Sequence, residues 1–480
     1  MIVMKKIVQH CLQKIVWILA AAIVLYLILG AILPYTHQPE VKEETKSAFT
    51  AADYYGKDVI EERAGIISDN GEALEERIRL IAQAKERIVL STFEFHADES
   101  GKAILAALIA AAERGVQVSV LADGIPYLVS MVGEEYFYAL SSMENAQIKI
   151  YNPVNPLKPW TVMGSLHDKY LIVDDFAYIL GGRNTYDFFL GNESPYKNYD
   201  WDVLVYTNAP GTCKSLNRLS DYFDEIWNME VCKLYHDESS YQNRESVKQA
   251  KEELQERYKK LQKEHADWFT ACDYTEKTSP VNKITVVSNP THIDAKEPVV
   301  YYTITELMKQ AQNEVVFHTP YIIGNEFMID RLKEVCDSVP KVTMMTNSVA
   351  NNGNPFGAMD YQQNKEKILD TGVQILEYEG GYSYHGKCFV MDNRISGVGS
   401  FNWDMRSAYL DTEIMLIIDS EEFNSILRDE MNVYEERALQ VVDKDTSIPP
   451  EGEEAQSMSG KKKLVLKLLH IFAGWARFLM

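Results

Sequence analysis

The chain has 480 residues, 46% of them hydrophobic, which is enough for two domains with ordinary hydrophobic cores. Its 70 acidic and 48 basic residues give a formal net charge of −22; this disfavours nucleic acid as a partner, because proteins that grip it non-specifically carry a basic face. The six cysteines have irregular spacings, which indicate neither a disulfide scaffold nor a zinc site.

The first segment, residues 1–36, has the pattern of a membrane anchor. Lys5, Lys6 and Lys14 precede a run without charge over residues 15–33, and a helix of that length is roughly 28 Å long, close to the hydrocarbon thickness of a bilayer. A cleaved signal peptide is the alternative, but its apolar core is shorter. Lysines before the span favour a cytoplasmic N-terminus and a body on the outer face of the cell membrane. Residues 37–64 are polar and aperiodic, as in a linker.

Residues 65–236 alternate between helical and strand patterns. We predict a helix from Asp69 or Asn70 to Lys85, a strand over residues 88–95, a helix from Ser100 to Gly115 and a strand over residues 116–121. Such alternation predicts a mixed sheet covered by helices. Residues 237–280 form a charged connector with an amphipathic helical pattern, for which packing on the body is preferred to a dimerising coiled coil.

Residues 281–440 repeat this pattern. A helix is predicted near residues 304–311, strands over 315–318, 342–346 and 414–418, and a closing helix over about 422–439. Residues 441–480 begin as an acidic linker and end in a basic, apolar stretch, KKKLVLKLLHIFAGWARFLM. That stretch favours a helix lying in the headgroup layer of a membrane. A helix packed on the protein itself is the alternative.

One motif occurs in both halves. HDKYLIVDDFAYILGGRN begins at His167 and HGKCFVMDNRISGVGSFN begins at His385. Both read H-x-K, four residues, D, six residues, G-(G/S)-x-N, and a doublet with identical internal spacing indicates a duplicated architecture. The pair resembles the paired HKD motifs of the phospholipase D superfamily, and most closely its branch of bacterial cardiolipin synthase-like proteins.

The resemblance implies an α/β fold of two similar phospholipase D-like halves, here with an N-terminal transmembrane helix and an active site between the halves. It implies an enzyme, a phosphatidyltransferase of cardiolipin synthase type that acts through a covalent phosphohistidine. The expected substrate is a phospholipid such as phosphatidylglycerol. Three alternatives stay open: a phospholipase D-type hydrolase, a membrane-tethered nuclease or other phosphodiesterase, and a scaffold whose cleft is blocked by the connector. The pattern does not indicate an oligomeric state.

The residue types suit phosphodiester chemistry. The site needs positive charge, a neutral nucleophile and an acid for the departing alkoxide. Lys169 and Lys387 lie two positions from the histidines on the same strand face and can hold the phosphate oxygens together with Asn184 and Asn402. The reaction needs no metal or other cofactor. The family resemblance assigns the nucleophile to His167 and the general acid/base to His385.

A nucleophilic imidazole needs a carboxylate to hold its second nitrogen. Aligning the repeats matches Asp200 with Glu413, so we expect Asp200 to orient His167 and Glu413 to orient His385; Asp202 is a rival to Asp200. The motif aspartates Asp174 and Asp392 lie at odd spacing from the histidines and should point away. They are predicted to be structural. Small residues that allow close backbone approach are predicted at Gly181, Gly182, Gly399 and Ser400.

Overall fold

The computed structural model describes residues 2–236 and 239–480. It begins with a 31-residue helix, α1 (Ile2–Ile32). Within the described ranges this is the one helix that is long and apolar enough to cross a membrane, through the segment Gln9–Tyr35. Its described side chains are almost all exposed. The helix contains the apolar run predicted as an anchor.

The segment predicted as a linker, residues 37–64, lies against the second half of the chain. It contains a short helix, α2 (Glu43–Ala48). The Lys42 amide donates to Glu297 Oε1 at 2.9 Å and the Gly56 amide donates to Asp419 Oδ2 at 2.6 Å. These bonds hold the segment on the body before the chain enters the first sheet.

The first half is a nine-stranded sheet with the strand order β10-β1-β8-β6-β5-β2-β3-β4-β9. Strands β2, β3 and β4 are mutually parallel, and β5 is antiparallel to β2. The strands are β1 (Glu62–Ile67), β2 (Arg87–Thr92), β3 (Gln117–Asp123), β4 (Ala146–Tyr151), β5 (Tyr170–Val173), β6 (Ala177–Gly181), β8 (Asp202–Thr207), β9 (Lys233–Leu234) and β10 (Ser279–Pro280), with β7 (Asn198–Tyr199) outside the sheet. The helices of this half are α3 (Asn70–Gln83), α4 (Glu99–Glu113), α5 (Gly124–Ser130), α6 (Glu135–Ser141) and α7 (Lys214–Trp227).

The connector carries one long helix, α8 (Glu245–Glu264), which packs on α4 and α6. Val247 and Leu254 are buried in the core of the first half, and Trp268 beyond the helix packs against the same core. The preferred prediction, a helix packed on the body, agrees with this placement. The predicted start of the connector at Asp237 lies outside the described residues.

The second half is also a nine-stranded sheet, in the order β11-β20-β18-β17-β12-β14-β15-β21-β22. Its strands are β11 (Lys283–Ser288), β12 (Glu314–His318), β14 (Lys341–Asn347), β15 (Gln374–Tyr378), β17 (Cys388–Met391), β18 (Ile395–Gly399), β20 (Ile414–Asp419), β21 (Ala438–Val441) and β22 (Ser447–Ile448), with β13 (Ile322–Ile323), β16 (Ser383–Tyr384) and β19 (Trp403–Asp404) outside the sheet. The helices are α9 (Val299–Met308), α10 (Glu326–Ser338), α11 (Pro355–Leu369), α12 (Met405–Tyr409) and α13 (Glu421–Glu435).

The closing helix is shorter than the predicted range of about residues 422–439. It ends at Glu435, and residues 438–441 form β21, which pairs antiparallel with β15. Leu439 and Gln440 therefore satisfy the backbone groups of a strand edge that would otherwise be unpaired. The limits proposed for the halves, residues 65–236 and 281–440, stay predictions; the strands of the two sheets extend from Glu62 to Ile448.

The two sheets face each other across a shared central core. Val89 of β2 points into this core, which also contains Val316 of β12, whereas the neighbouring Ile88 and Leu90 point into the outer core under α3 and α4. Helices α7 and α13 lie in the central layer, where α7 contacts β11 and α13 contacts β1. The predicted α/β fold of two similar halves, each a mixed sheet flanked by helices, is confirmed.

The C-terminal stretch forms helix α14 (Gly460–Ala473), followed by a 3₁₀ segment, Gly474–Leu479. It packs on α11, with Leu466 buried. Arg477 forms an ion pair with Asp360 of α11, with Nε 2.8 Å from Oδ1. The helix thus contacts the protein body, as the alternative prediction supposed, although a second face of it remains exposed.

Candidate active site

His167 lies just before β5 and meets a carboxylate from the other half. Its Nδ1 is 2.8 Å from Glu413 Oε1, and the Ser407 hydroxyl donates to the same oxygen at 2.6 Å. The Ser400 hydroxyl donates to the second oxygen of Glu413. Glu413 is fully buried, so these donors hold both the carboxylate and, through it, the imidazole.

His385 lies just before β17 and has the converse partner. Its Nδ1 is 2.6 Å from Asp200 Oδ2, and Asp200 is also buried. The expected pairing, Asp200 with His167 and Glu413 with His385, is therefore wrong. Each half supplies the carboxylate that orients the histidine of the other half.

Two matching contacts between the halves cause this exchange. Leu166 forms a parallel bridge with Thr412, so the next residues, His167 and Glu413, are neighbours. In the same way β16 pairs in parallel with β7, which places Tyr384 beside Tyr199. His385 and Asp200 follow directly. An alignment of the repeats identifies equivalent residues, but it cannot show that the strands before them pair across the interface.

Asp202, the rival orienting acid, has a different environment. Its Oδ2 lies 2.9 Å from the Arg77 guanidinium and 3.3 Å from that of Arg183. All three side chains are buried. Asp202 therefore neutralises two buried arginines of the first half and does not contact either motif histidine.

Both motif lysines reach back to the motif histidines. The Lys169 ammonium donates to the His167 carbonyl. The Lys387 ammonium lies 2.7 Å from His385 Nδ1 and 3.5 Å from Asp200 Oδ2. Both lysines are almost fully buried, as expected for cations that are reserved for an anionic ligand and a carboxylate partner.

The motif asparagines are buried next to the motif strands. Among the described residues, the Oδ1 atoms of Asn184 and Asn402 are buried without a hydrogen-bond partner. The Asn402 amide donates to the Tyr321 hydroxyl at 3.3 Å. Leaving a buried acceptor without a hydrogen bond costs free energy. The two unpaired amide oxygens therefore fit side chains that are positioned for a ligand.

Burial controls the protonation of both histidines. It lowers the pKa of His167 well below the usual value, and the charges of Lys169 and Lys387 lower it further. Burial followed by Lys387 lowers the pKa of His385 to about 4, with a further contribution from Lys169. Both imidazoles are thus neutral at neutral pH. Because each histidine senses the lysines of both motifs, the two motifs form one electrostatic site.

The two carboxylates differ. Burial raises the pKa of Glu413 to about 8, against the opposing effects of Lys169, Ser400 and Ser407. Burial also acts to raise the pKa of Asp200, but Lys387 and His385 outweigh it and the pKa falls below its usual value. An ionised Asp200 favours a protonated His385 more strongly than Glu413 favours a protonated His167.

The motif residues predicted to be structural have contacts that fit that role. Asp174 accepts hydrogen bonds from the amides of residues 85–87, at 2.8 to 2.9 Å, and Asp392 accepts from the amides of residues 312–314. A Cβ at Gly182 would overlap the Asp200 carboxylate, and Ser400 bonds to Glu413. Gly182 and Ser400 therefore occupy equivalent positions, each against the acid of its own half.

Sequence reasoning missed several site residues. The Phe93 ring lies edge-on to His167 with centroids 5.2 Å apart, and Phe189 contacts His385 in the same manner at 5.0 Å. The Thr412 hydroxyl accepts from the His167 amide at 3.1 Å. Phe93 directly follows β2, at the strand end that lies beside the motif strand β5. Its place near the end of a predicted strand was the sequence feature that could have identified it. Among the described residues no group of three or more His, Cys, Asp or Glu side chains is arranged to hold a metal ion.

Comparison with known proteins identifies the family. The statistical model of the family described as "Cardiolipin synthase, PLD-like domain" matches residues 78–227 and 304–434, more than half of the chain. The chain belongs to this family. The matched ranges contain the motifs of both halves. The predicted membership of the phospholipase D superfamily, in its cardiolipin synthase-like branch, is confirmed, and so is the prediction of an enzyme of phospholipase D type.

Individual relatives of this PLD-like protein are distant. An uncharacterised protein of Helicobacter pylori (strain 26695) is 24% identical over 403 residues, covering 76% of this chain and 77% of the relative. Cardiolipin synthase C of Escherichia coli (strain K12) is 24% identical over 401 residues, covering 74% and 81%. The crystal structure of phosphatidylserine synthase from Haemophilus influenzae superposes with a TM-score of 0.63 at 17% identity, covering 91% of this chain and 100% of that one. At that identity the superposition demonstrates a common fold.

Proposed function

We propose that this protein is a membrane-anchored phosphatidyltransferase of cardiolipin synthase type. The observation that carries the proposal is the crossed pair of histidine–carboxylate contacts, His167 with Glu413 and His385 with Asp200, beside two buried lysines. Two neutral imidazoles with their Nδ1 atoms engaged present Nε2 to a ligand. Such a site suits a phosphate that is attacked on one side and loses an alcohol on the other.

In the first step, His167 Nε2 attacks the phosphorus of a phospholipid. His385 is neutral in the unliganded site and takes up a proton at Nε2 when the anionic phosphate binds. A P–N bond then forms, the P–O bond to the headgroup breaks, and the His385 imidazolium gives this proton to the departing alkoxide. Lys169, Lys387, Asn184 and Asn402 bind the non-bridging oxygens. The ionised Asp200 beside His385 supports this assignment, because it stabilises the imidazolium that must supply the proton.

In the second step, neutral His385 removes a proton from an acceptor hydroxyl. The acceptor oxygen attacks the phosphorus, the P–N bond breaks and His167 is restored. When the acceptor is the glycerol end of a second phosphatidylglycerol, the products are cardiolipin and the glycerol released in the first step. Water in place of this alcohol would give phosphatidic acid.

Three features support a lipid as substrate. The family carries the description of a cardiolipin synthase domain, and a relative that covers most of the chain is named cardiolipin synthase C. Helix α1 has the length and apolarity of a membrane span.

We also infer that the body lies on the outer face of the membrane, since Lys5, Lys6 and Lys14 precede the span. Protease added to intact cells should then cleave the body.

The test is to incubate purified full-length protein with labelled phosphatidylglycerol and, separately, with single-stranded DNA. Cardiolipin plus glycerol is the expected result. Phosphatidic acid would identify a hydrolase, shortened DNA a nuclease, and no product at all a scaffold; each outcome would overturn the proposal. H167A and H385A should abolish turnover. H265A is the matched control, because His265 lies on the remote connector stacked on Trp268.

A further inference from the structure

Seven apolar side chains are exposed together on the first half. Four of them lie in α5 or within two residues of its end, and three lie in the segment between β4 and β5. Val129 is 91% exposed and Leu157 is 80% exposed. We call this set the rim patch, and it consists of Ile125, Leu128, Val129, Val132, Val154, Leu157 and Trp160. Large apolar side chains exposed on two neighbouring segments indicate a contact surface.

The two parts of the rim patch are held to each other and to the catalytic strand. The Asn152 amide donates to the carbonyls of Thr161, at 2.6 Å, and Gly164, at 2.8 Å. Asp123, at the start of α5, accepts from the Ile125 amide at 2.9 Å and from the Leu166 amide at 2.7 Å. Since Leu166 precedes His167, the rim patch has a defined position relative to the nucleophile.

The C-terminal part of α1 and the turn after it, Leu33–Tyr35, pack directly on this patch. The Tyr26 hydroxyl donates to the Leu157 carbonyl at 2.9 Å, and the Tyr35 hydroxyl donates to the Trp160 carbonyl at 2.7 Å. Gly30 leaves room for the Pro159 ring, which a Cβ there would overlap. If α1 crosses a bilayer, residues 157–160 must lie where it emerges, at the boundary between headgroups and acyl chains.

The C-terminal helix adds a second apolar surface. Leu466 and Leu469 pack toward α11, and the opposite face of α14 and the turn after it is exposed. This face, the C-terminal stripe, consists of Leu464, Leu468, Ile471, Phe472 and Trp475. Their spacing is that of one helical face. Lys461, Lys463 and Lys467 are exposed around it, and in a chain of net charge −22 they complement anionic headgroups.

The end of the chain, which follows the C-terminal stripe, adjoins the segment that carries part of the rim patch. The Arg406 amide donates to the carbonyl of Met480, while its guanidinium donates to the carbonyl of Met163 at 3.0 Å. The C-terminus and the end of the rim-patch segment are thus joined through one residue. The rim patch also follows the carboxyl ends of the parallel strands β3 and β4. That is the edge at which His167 lies, because β5 is antiparallel to β2.

We propose that the rim patch and the C-terminal stripe together insert into the leaflet from which α1 emerges. This rests on the membrane anchor of the proposed function and adds to it a fixed orientation: the active-site edge faces the lipid. The occupant is the bilayer itself, because the exposed apolar surface is continuous with the apolar helix that crosses it. A phospholipid headgroup would then reach the histidines without the acyl chains leaving the membrane.

The test places nitroxide labels on the full-length protein in nanodiscs of phosphatidylglycerol and phosphatidylethanolamine. In a background with Cys11, Cys272 and Cys336 replaced by serine, single variants V129C, L157C and F472C are compared with V59C. Val59 is 64% exposed and precedes β1, whose start lies at the opposite edge of the sheet. V24C in α1 reports whether the anchor is inserted.

At positions 129, 157 and 472 we expect high accessibility to oxygen and low accessibility to a nickel chelate, with the reverse at position 59. Accessibility to nickel equal to that of position 59 would overturn the proposal, even if cardiolipin is formed. Protection from both reagents would indicate a protein partner and would also overturn it. A polar environment at position 24 would instead refute the anchor, on which the proposal depends.

A second measurement separates insertion from chemistry. The variant V129D/L157D should turn over vesicle lipid about tenfold more slowly, because two side chains lose their apolar surroundings. Its turnover of a monomeric short-chain phosphatidylglycerol should equal that of the V59D control. Equal loss on both substrates would contradict the inference. If the unmodified protein turns over neither substrate, the proposed lipid substrate is refuted. The accessibility of the nitroxide labels then decides alone whether the rim patch and the C-terminal stripe insert into the bilayer.

Discussion

At the scale of residues, the exchange of acids between the halves makes each histidine dependent on the other half. Glu413 bonds to His167 and Asp200 bonds to His385. If the roles follow these contacts, the two acids serve different steps of the reaction. That separation can be measured with a substrate whose leaving group needs no protonation.

We expect the variants E413Q and D200N to differ with a nitrophenyl phosphodiester. D200N should still release one equivalent of nitrophenolate in a burst and then turn over about 10²-fold more slowly, because only the second step needs His385 as a base. E413Q should lose the burst, since His167 is no longer held for attack. Rapid-quench measurements distinguish the two. A burst in E413Q and none in D200N would restore the uncrossed pairing.

Ser400 and Gly182 provide a second prediction at this scale. S400A removes a hydroxyl that bonds to Glu413 and should lower kcat about tenfold, while leaving KM and the fold nearly unchanged. G182A should be worse, because the added Cβ overlaps Asp200. Steady-state kinetics and circular dichroism of both variants check this. S396A is the control, since Ser396 is buried in β18 away from the carboxylates.

The lowered pKa of His167 predicts the pH dependence. Its neutral form is the nucleophile, and a folded-state pKa below 6.5 means that this form persists as the pH falls below neutrality. The acid limb of kcat/KM should therefore lie below pH 6.5. A pH–rate profile of the full-length protein measures it. An acid limb at or above pH 6.5 would contradict this prediction. It would show that Glu413 raises the pKa of His167 more than burial and the two lysines lower it.

At the scale of elements, two turns are held by the motif aspartates. Asp174 and Asp392 have φ values of +49° and +48°, a conformation that Asp tolerates better than most residues. Each carboxylate collects three backbone amides at the start of the neighbouring strand. The motif aspartate therefore joins the strand that follows the histidine to the strand beside it.

D392N should lower the free energy of unfolding by about 1–3 kcal/mol, because the neutral amide keeps the turn but loses charge-assisted hydrogen bonds. The side chain is partly exposed, which favours the lower end of that range. Denaturant titration measures the change. D175N is the matched control, since Asp175 is exposed beside the equivalent turn. An effect equal to that of the control would mean that the turn does not depend on the carboxylate.

A buried chain of hydrogen bonds supports the second histidine. His318 at the end of β12 lies 2.7 Å from the Tyr384 hydroxyl and 2.9 Å from Glu435. Trp201 donates to the same hydroxyl at 2.6 Å. Since Tyr384 and Trp201 adjoin His385 and Asp200, this chain fixes both members of that pair.

At the scale of the whole molecule, the halves share their central core. Val89, Tyr170 and Trp201 from the first half pack in the same cluster as Val316 and Val390 from the second. In an isolated half, the part of the inner sheet face that packs against the other half would be exposed to water. The crossed acids add the same dependence at the active site, so stability and catalysis both require the intact pair.

We therefore expect the body to unfold in a single cooperative transition. Separating the halves would expose the whole central core at once, which costs far more than the few kcal/mol that separate folded and unfolded states. Calorimetry of the full-length protein in detergent, with fluorescence of W201F and W403F variants to follow each half, measures this. Two resolved transitions would show that the halves fold independently.

The sequence by itself determined the repeat, and with it the two α/β halves and their motif residues. Spacing is a local property: histidine, lysine and asparagine recur at fixed separations, and the odd separation of Asp174 and Asp392 already placed them away from the histidines. Helix and strand periodicity likewise located the main elements and the amphipathic connector, because burial on one face imposes a period on the chain.

Only the tertiary structure decided which acid serves which histidine. Glu413 reaches His167 through a strand bridge between residues far apart in the chain, and no pattern within either repeat encodes that pairing. For the same reason the sequence predicts the closing helix too long: residues 438–441 form β21 because they pair with the edge of β15, a contact between distant parts of the chain. It also explains the rim patch: the exposure of Val129 and Leu157 and their contact with α1 arise from how the segments pack, which composition alone does not specify.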